Sequence, residues 1–290
     1  MKQIKIFIVL LIALMSLNIT IAKADNGIWR LDGFDITKVI NFRVSSSTTS
    51  ASAQPSIKAL PLLYDYIKSE SLSKTEIYLV DLRQESHGFA NGFPVSYYKE
   101  HNHANLGKNS AEIQADEIER LKSILGKQTQ FLPLGKHDEA TLSKVTLIVN
   151  NIQNEKHAAE QIGFKYIRFS AADMIFPEPA TVDEFIKFYL SLPKNHWLHF
   201  HCHAGHGRTT TFLVFYDILT YPDLTLDEIV KKEFSIGGSN LLAESNGEDW
   251  YSQMHRDRIE KLKLFYKYVQ ENRGSKFKTS WSDYLKLVEY

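Results

Sequence analysis

One stretch of the chain carries residue types that together could perform nucleophilic chemistry. Residues 197–212 read WLHFHCHAGHGRTTTF, an apolar strand followed by a polar loop and the first turn of a helix. Cys202 opens the loop and Arg208 closes it, and Gly205 and Gly207 lie between them. Glycines let the backbone curl so that successive N–H groups form an anion nest. The helix that follows directs the positive end of its dipole into the same cup.

This cup suits a thiolate that attacks phosphorus. Positive potential stabilises a thiolate, so we expect Cys202 to lose its proton readily. Arg208 can offer a planar fork to two phosphate oxygens while the sulfur attacks in line. The alternative is a buried structural cysteine near a helix start. The strand before the loop and the threonines after it are the context that a phosphate-binding loop requires, and they favour the catalytic interpretation.

Displacement of an alkoxide also needs an acid that protonates the leaving oxygen. We assign this role to Asp173, which follows a predicted core strand and begins a loop that Pro177 stiffens. Two rival acids are close in sequence, but Glu178 is flanked by prolines and Asp183 lies inside the next predicted helix. The structural alternative for Asp173 is a capping carboxylate at a strand end.

The segment that contains His201, Cys202, Gly205, Arg208 and Thr209 resembles the signature of the protein-tyrosine-phosphatase superfamily. The fuller form HCHAGHGRTT is similar to that of the bacterial tyrosine-phosphatase-like phytases, or cysteine phytases, which hydrolyse inositol phosphates. The resemblance covers most of the chain beyond its first residues. Its other motifs are WRLD, NFR, DLRQESHG, NGFPVSYY, ANLGK, PLGKH, DMIFP in place of D-x-x-W-P, IGG and YKYVQENR.

The resemblance implies hydrolysis of myo-inositol polyphosphates, phytate included, in two steps. Cys202 would form a phosphocysteine while Asp173 protonates the inositol oxygen, and Asp173 would then activate water. Arg208 and the loop amides would hold the developing charge, and the Thr209 hydroxyl would hydrogen-bond the sulfur. We expect no metal or other cofactor, because the cup supplies the positive charge. The two nearby histidines at positions 101 and 103 lack a third ligand in register.

The same resemblance implies which residues bind the substrate. The loop residues that would contact the transferred phosphate are His203, Ala204, Gly205, His206 and Gly207. The rim residues that would hold the remaining phosphates are Arg30, Arg43, Asn102, His137, His255 and Arg258. From the residues alone, Arg30 and Arg43 are better interpreted as surface arginines.

Several rim positions differ in residue type from the family pattern. Asn102 stands where an acid is common, Asp138 and Tyr251 stand where lysines are common, and His203 replaces an acid. Loss of two lysines leaves the order of phosphate removal and the preferred inositol phosphate open. Protonated His203 and His206 would compensate in part at acidic pH.

The first 24 residues have the composition of a secretory signal. Two lysines precede an apolar run at residues 6–17, and Ala22-Lys23-Ala24 fits a small-x-small cleavage site. The run is too short for a stable membrane span, although an uncleaved anchor is the alternative. We therefore expect a phosphatase domain of residues 25–290 that is periplasmic or secreted and does not contact a membrane after cleavage.

The bulk composition limits the classes of partner. Removal of three signal lysines leaves 31 basic against 34 acidic residues, a net charge of −3, so nucleic-acid binding is not indicated. The single cysteine cannot form an intramolecular disulfide. We expect a monomer whose partner is a small-molecule substrate, with any strong positive potential confined to the pocket.

The elements that must position these residues follow an α/β pattern. A predicted strand, helix and strand at residues 144–149, 154–162 and 166–169 favour a largely parallel sheet. The strand at residues 76–82 ends near Asp81 and Arg83, which we expect to pair with each other. Other helices are predicted at residues 57–69, 111–125, 181–192 with Thr181 as N-cap, 210–220, 226–234 and 250–272.

The resemblance adds the architecture. It implies a protein-tyrosine-phosphatase-like fold with a central, mostly parallel sheet flanked by helices. It also implies a small partial β-barrel built from about residues 26–42 and 86–143.

Three other functions use similar residues. A secreted protein-tyrosine or phosphoinositide phosphatase would use the same loop on a different leaving group. A catalytically dead inositol-phosphate-binding module is disfavoured because Cys202, Asp173 and Arg208 are all present. Rhodanese-like sulfur transfer places a cysteine in an anion cup, but it needs neither Arg208 followed by a threonine nor a remote acid.

Overall fold

The computed structural model describes residues 27–33, 37–70, 76–133 and 143–288. The predicted signal and the predicted rim residue His137 lie outside these ranges. The elements in chain order are β1 Ile28–Leu31, β2 Arg43–Ser46, β3 Thr49–Ala53, α1 Ala59–Glu70, β4 Glu76–Arg83, β5 His87–Ala90, β6 Phe93–Tyr98, α2 Ser110–Ile124, β7 Gln128–Pro133, β8 Val145–Ile148, β9 Ile152–Gln153, α3 Glu155–Ile162, β10 Lys165–Ala171, α4 Pro179–Ser191, β11 His196–Cys202, α5 Gly207–Thr220, α6 Leu226–Ser235, α7 Trp250–Asn272 and α8 Trp281–Leu287.

The central sheet has the strand order β10-β4-β11-β3-β2. Its first four strands are parallel, and only the edge strand β2 is antiparallel, so the prediction of a mostly parallel sheet is confirmed. Helix α5 leaves the carboxyl end of β11, and its side chains are buried nearly all round, as its sequence predicts. Phe212 and Phe215 of this helix pack against Phe185 and Phe265, which anchors the start of α5 in the core.

A second, smaller sheet has the order β8-β7-β1-β6-β5-β9. It is the partial barrel that the resemblance implies, but it reaches Gln153, beyond the predicted limit at residue 143. Strand β8 belongs here, antiparallel to β7, while β10 pairs with β4. The expectation that β8 precedes α3 within the parallel sheet is therefore wrong. Apolar alternation identifies a strand but does not identify its partner.

The loop that begins at Asp173 ends at the start of α4. This helix begins at Pro179, two residues earlier than predicted. Pro179 occupies the first helical turn and Glu178 is the N-cap, so Thr181 is not the cap. Proline suits this position because its missing N–H would be unpaired there and its φ is already helical. Among the helices within the described ranges, none is both long enough and apolar enough to cross a membrane.

A buried ion cluster joins the two sheets behind the site. His87 Nδ1 lies 2.9 Å from the Glu85 carbonyl, and its Nε2 lies 3.2 Å from Glu155 Oε2. Both partners can only accept, so both ring nitrogens carry protons. Burial alone would lower the pKa of His87, but Asp81 and Glu117 raise it to about 10.

Asp81 belongs to this cluster and does not pair with the Arg83 side chain. It lies 3.1 Å from Arg168 Nε and accepts a hydrogen bond from Tyr166 at 2.6 Å. From Arg83 it accepts only the backbone N–H, at 2.8 Å. The predicted side-chain pair of Asp81 and Arg83 is therefore wrong, because Asp81 binds side chains of β10 whereas the Arg83 guanidinium pairs with Glu85 and Asp32.

The cation at His87 should matter for stability. His87→Leu removes the imidazolium that faces three buried carboxylates, so we expect the free energy of unfolding to fall by about 3–5 kcal/mol at pH 6, measured by urea denaturation. The stabilisation is fully present below the unfolded pKa of histidine and is lost as pH rises through about 10. The difference from wild type should therefore shrink in alkaline solution. His157→Leu, at an exposed position of α3, should change stability by less than about 0.5 kcal/mol. Equal effects of the two variants would contradict this assignment.

Candidate active site

The loop between β11 and α5 has the curled shape predicted from its sequence. Cys202 ends β11 and is 4% exposed. Gly205 adopts a φ of +76°, and a Cβ there would lie 2.5 Å from the backbone N of Ala53. Both the left-handed backbone and the close approach of β3 therefore require glycine at this position.

The loop carbonyls are held on the outer side of the cup. The guanidinium of Arg43 donates to the Gly205 carbonyl at 2.7 Å, and the Asn41 amide donates to the Ala204 carbonyl at 2.8 Å. The N–H and C=O groups of one peptide point in opposite directions. The N–H groups of the same peptides therefore face the inside of the cup. The four carbonyls and their donors are His203 with Gln54, Ala204 with Asn41, Gly205 with Arg43 and His206 with Thr210.

The sequence context alone suggested that Arg43 is a surface arginine, but in the structure it is not. It is 6% exposed and holds the nucleophile loop through a carbonyl. Arg30 is also buried, at 2% exposure, with its guanidinium over the Tyr98 ring at 4.6 Å and a hydrogen bond to Ser96. Both arginines thus belong to the site region, and their interpretation as exposed residues is wrong.

Arg208 is fixed by a carboxylate that the sequence reasoning did not single out. Its Nη1 donates to Glu85 Oε2 at 2.6 Å and its Nη2 donates to Oε1 at 3.0 Å, a two-point fork. Nη1 also donates to the Ala171 carbonyl at 3.1 Å. Charge-assisted forks of this kind fix the plane of the guanidinium as well as its position. The signal for Glu85 was its place in the DLRQESHG motif.

Charges alternate from Arg208 into the partial barrel. Glu85 pairs with Arg83 at 2.8 Å, Arg83 pairs with Asp32 at 3.0 Å, and Asp32 lies 3.1 Å from His203 Nε2. Burial would raise the pKa of Asp32, but His203 and Arg83 hold it well below its usual range. Asp32 is the last residue of the WRLD motif, and its role depends on a contact that only the fold creates.

Asp173 lies at the cup, as its assignment as the acid requires. Its Oδ1 is 3.3 Å from Arg208 Nε, and its Oδ2 accepts a hydrogen bond from Asn102 at 2.7 Å. Burial works to raise the pKa of this carboxyl. The attraction of Arg208, the Asn102 hydrogen bond and His203 outweigh burial and the repulsion of Glu85, and the pKa lies below its ordinary value.

The rest of the acid loop is anchored in the core. Phe176 is 4% exposed and packs against Phe215 and Trp281 at centroid distances of 5.5 and 6.4 Å. Both rival acids lie elsewhere. Glu178 is an exposed helix cap. Asp183 accepts the backbone N–H of Trp281 at 2.7 Å and so caps α8.

The remaining predicted binding residues lie around the loop. Arg258 is 8% exposed, and its Nη1 would be 3.6 Å from a Cβ at Gly207. His255 is half-buried on the same helix, and burial and Arg258 lower its pKa. His206 Nε2 lies 3.1 Å from the Asn41 amide nitrogen, which can only donate, so this His206 nitrogen accepts. Burial and Arg43 lower the pKa of His206.

Thr209 shows one difference from expectation. Its side chain is completely buried, and within the described ranges its hydroxyl makes no hydrogen bond, to the Cys202 sulfur or to another group. Its predicted bond to the sulfur is therefore not formed in this structure.

One group of side chains behind Cys202 has a spacing compatible with a metal ion. Ligand atoms of Asp81, Glu155 and His201 lie within 4.8 Å of one another. The two carboxylates already contact the His87 imidazolium, and Arg168 contacts Asp81. This donor set thus fits a neutralised ion cluster better than a cation site.

Comparisons with known proteins agree with this geometry. The family model for tyrosine-phosphatase-like phytases matches residues 80–220. The description of this family is "Inositol hexakisphosphate". The myo-inositol phosphatase of this class from Mitsuokella multacida, solved with myo-inositol-(1,3,4,5)-tetrakisphosphate, superposes with a TM-score of 0.83 at 34% identity over 89% of this chain and 49% of its own. The phytase of this class from Bdellovibrio bacteriovorus gives a TM-score of 0.74 at 30% identity, covering 89% and 94%. Effector protein hopD2 of Pseudomonas syringae pv. tomato is 25% identical over 67% of this chain and 43% of its own length.

The chain therefore spans about half the length of the Mitsuokella and Pseudomonas relatives, at 49% and 43%, and nearly all of the Bdellovibrio protein, at 94%. The region that matches the family model contains both Asp173 and the loop from Cys202 to Arg208. Together with the similarity over almost the whole Bdellovibrio protein, this match shows that the chain belongs to the protein-tyrosine-phosphatase-like phytase family.

Proposed function

We propose that this protein hydrolyses phosphomonoesters of myo-inositol polyphosphates through a phosphocysteine intermediate. The observation that carries the proposal is the convergence of the nucleophile loop and the acid on one guanidinium, with Arg208 Nε 3.3 Å from Asp173 Oδ1. The inositol tetrakisphosphate bound to the Mitsuokella relative supports this substrate class. The family match of residues 80–220 supports the same chemistry.

In the first step the Cys202 sulfur attacks phosphorus, and the bond from phosphorus to the inositol oxygen breaks. Asp173 donates its proton to that oxygen, and the alcohol leaves. Arg208 and the loop amides hold the equatorial oxygens, where negative charge accumulates. An arriving phosphate competes for Arg208 and brings negative charge beside Asp173, which raises the pKa of the acid and favours its protonated form.

In the second step water attacks the phosphocysteine. Asp173, now a carboxylate, accepts the proton from water, and the sulfur leaves as a thiolate. The same cup holds the phosphoryl oxygens in both steps. Phosphate release then restores the contact between Arg208 and Asp173.

The other phosphates of the substrate contact basic groups at the rim. Arg30 of β1 and Arg258 and His255 of α7 lie around the loop, and His203 lies within the loop itself. Because the chain without residues 1–24 carries a net charge of −3, this local clustering must supply the attraction for a polyanion.

Residues 1–24 support export to the periplasm or the medium, where the protein acts as a monomer on a small-molecule substrate. N-terminal sequencing of the exported protein would show cleavage after Ala24.

A specific observation favours a second candidate, hydrolysis of aryl phosphates such as phosphotyrosine. A cavity of about 60 Å³ beside Asp173 is lined partly by flat or apolar side chains, including Tyr98, Tyr251 and Met174. These side chains suit an aromatic leaving group better than they suit a second phosphate.

The choice between these substrates is tested by rates on phytate, a phosphotyrosine peptide and a phosphoinositide under one set of conditions. We expect phytate to be preferred. Cys202→Ser should lower phytate turnover by at least about 10³-fold, and Asp173→Asn by about 10²–10⁴-fold. His157→Leu, at an exposed position of α3, serves as the matched control. Faster turnover of the peptide than of phytate would support the second candidate, and undiminished turnover by Cys202→Ser would exclude the covalent mechanism.

The pH dependence should report Asp173. This carboxyl must be protonated in the first step, and its pKa in the free protein lies below its ordinary value, so kcat/KM for phytate should fall as pH rises through that pKa. Asn102→Ala removes a stabilising hydrogen bond to the carboxylate, and Asn102→Asp adds a like charge. We expect the alkaline limb to move to higher pH in the order wild type, Ala, Asp, by about one unit for Asp. Superimposable profiles would show that Asp173 does not govern this limb.

His203 should add attraction for phosphate only in acid. Burial lowers its pKa despite the nearby Asp32 carboxylate, so the ring becomes cationic only as pH falls. We expect the KM of wild type for phytate to decrease with falling pH more steeply than that of His203→Gln. Parallel KM profiles of the two proteins would mean that the His203 charge does not assist binding.

A further inference from the structure

The loop between β6 and α2 holds an unusual backbone beside the acid. Glu100, His101 and Asn102 all have positive φ, at 40°, 59° and 70°. A single non-glycine residue in this region is uncommon, and three in succession persist only when surrounding contacts hold them. This loop comes from the partial barrel, whereas Asp173 follows β10 of the central sheet.

The next residue of that loop, His103, binds the backbone of the acid. His103 Nε2 lies 2.8 Å from the carbonyl oxygen of Asp173. A carbonyl only accepts, so Nε2 carries the proton. The bond needs only this one proton, which the neutral ring also has, so it forms without a charge on His103.

The Asp173 carbonyl belongs to the peptide that links Asp173 to Met174, and Met174 is a second strained residue. Met174 has a φ of 67°, again in the left-handed region. Rotation about the backbone bonds on either side of this peptide would relieve this strain and would displace the Asp173 backbone that carries the carboxyl. The His103 bond opposes that rotation, because it fixes the direction of the carbonyl.

The loop itself is braced by the start of α7. The ring of His101 stacks on Trp250 at a centroid distance of 4.5 Å and an interplanar angle of 15°. His103 meets the edge of the same indole at 5.9 Å. Stacked and edge-on aromatic contacts of this kind stabilise by about 0.5–1.5 kcal/mol each. The donor of the Asp173 bond therefore sits on a supported element.

We propose that His103 is a positioning residue for the general acid, holding the Asp173 backbone so that the carboxyl stays directed at the leaving oxygen. This inference rests on the proposed function, since it concerns the acid of the same site. Asn102 binds the carboxylate and His103 binds the carbonyl, so the loop between β6 and α2 (the barrel loop) holds Asp173 through two hydrogen bonds.

The test uses the dependence of the rate on the leaving group. An alkoxide leaving from phytate needs a proton, whereas p-nitrophenolate leaves from p-nitrophenyl phosphate with little help from an acid. His103→Leu removes the donor, and His103→Gln replaces Nε2–H with an amide N–H of similar reach. The measured quantity is single-turnover release of each leaving group, which isolates the first chemical step. Asp173→Asn is the reference for complete loss of the acid.

We expect His103→Leu to lower the single-turnover rate on phytate by a factor at least about tenfold larger than the factor on p-nitrophenyl phosphate. This difference should be smaller than the one caused by Asp173→Asn, which removes the acid completely. His103→Gln should recover most of this difference, and His157→Leu should leave the ratio of the two rates at the wild-type value. Equal losses on both substrates, or a wild-type ratio in His103→Leu, would overturn the proposal. The aryl phosphate also verifies that the variant is folded, because it reports the nucleophile and its cup.

The reference variant separates this inference from the proposed function. If Asp173→Asn shows the leaving-group dependence and His103→Leu does not, only the role of His103 fails. If Asp173→Asn shows no such dependence, the assignment of the acid fails, and the role of His103 fails with it.

Discussion

The site depends on a buried guanidinium that must be neutralised. Arg208 is 4% exposed, and a cation removed from water is stable only beside a well-placed anion. Glu85 meets this need with a two-point fork, and Arg83 in turn neutralises Glu85. Each member of the series would be left as an uncompensated buried charge if its neighbour moved. The position of the phosphate-binding group is thus fixed by electrostatics before a substrate arrives.

The same constraint unites the two sheets. Asp32 comes from the partial barrel, and it joins Arg83 of the central sheet to His203 of the nucleophile loop. Behind the loop, the His87 imidazolium of the barrel lies among carboxylates that include Asp81 of the central sheet. Two ion clusters therefore hold the barrel against the sheet at the level of the cup. The barrel supplies the groups that surround the reaction, and the sheet supplies the groups that perform it.

This division explains how the acid is held. Asp173 is attached to the central sheet through β10, but Asn102 and His103 of the barrel loop bind its carboxylate and its carbonyl. Arg208 approaches the other carboxylate oxygen. An acid held from both sides needs little reorganisation when charge develops on the leaving oxygen, and low reorganisation is the main advantage of a preorganised site.

The sequence by itself identified the parts of this protein whose chemistry is local. The loop from Cys202 to Arg208 is continuous in sequence, and its glycines, its preceding strand and its following helix sufficed to predict its conformation. Asp173 was identified by its position after a strand and before a stiff loop. The predicted helices also lie close to the observed ones, although α4 begins two residues and α5 three residues earlier than predicted. These features depend on contacts within a few residues, which local patterns encode.

Only the tertiary structure decided which groups pair across the chain. Arg208 and Glu85 are 123 residues apart in sequence, and Arg83 and Asp32 are 51 apart. Neither periodicity nor spacing in the sequence identifies such distant partners. The sequence instead predicted that Arg83 pairs with the nearer Asp81, which is wrong. The burial of Arg43 and the sheet to which β8 belongs were decided in the same way. A charged side chain or a strand edge can satisfy its partner requirement in many ways, and the packing of the two sheets selects one of them.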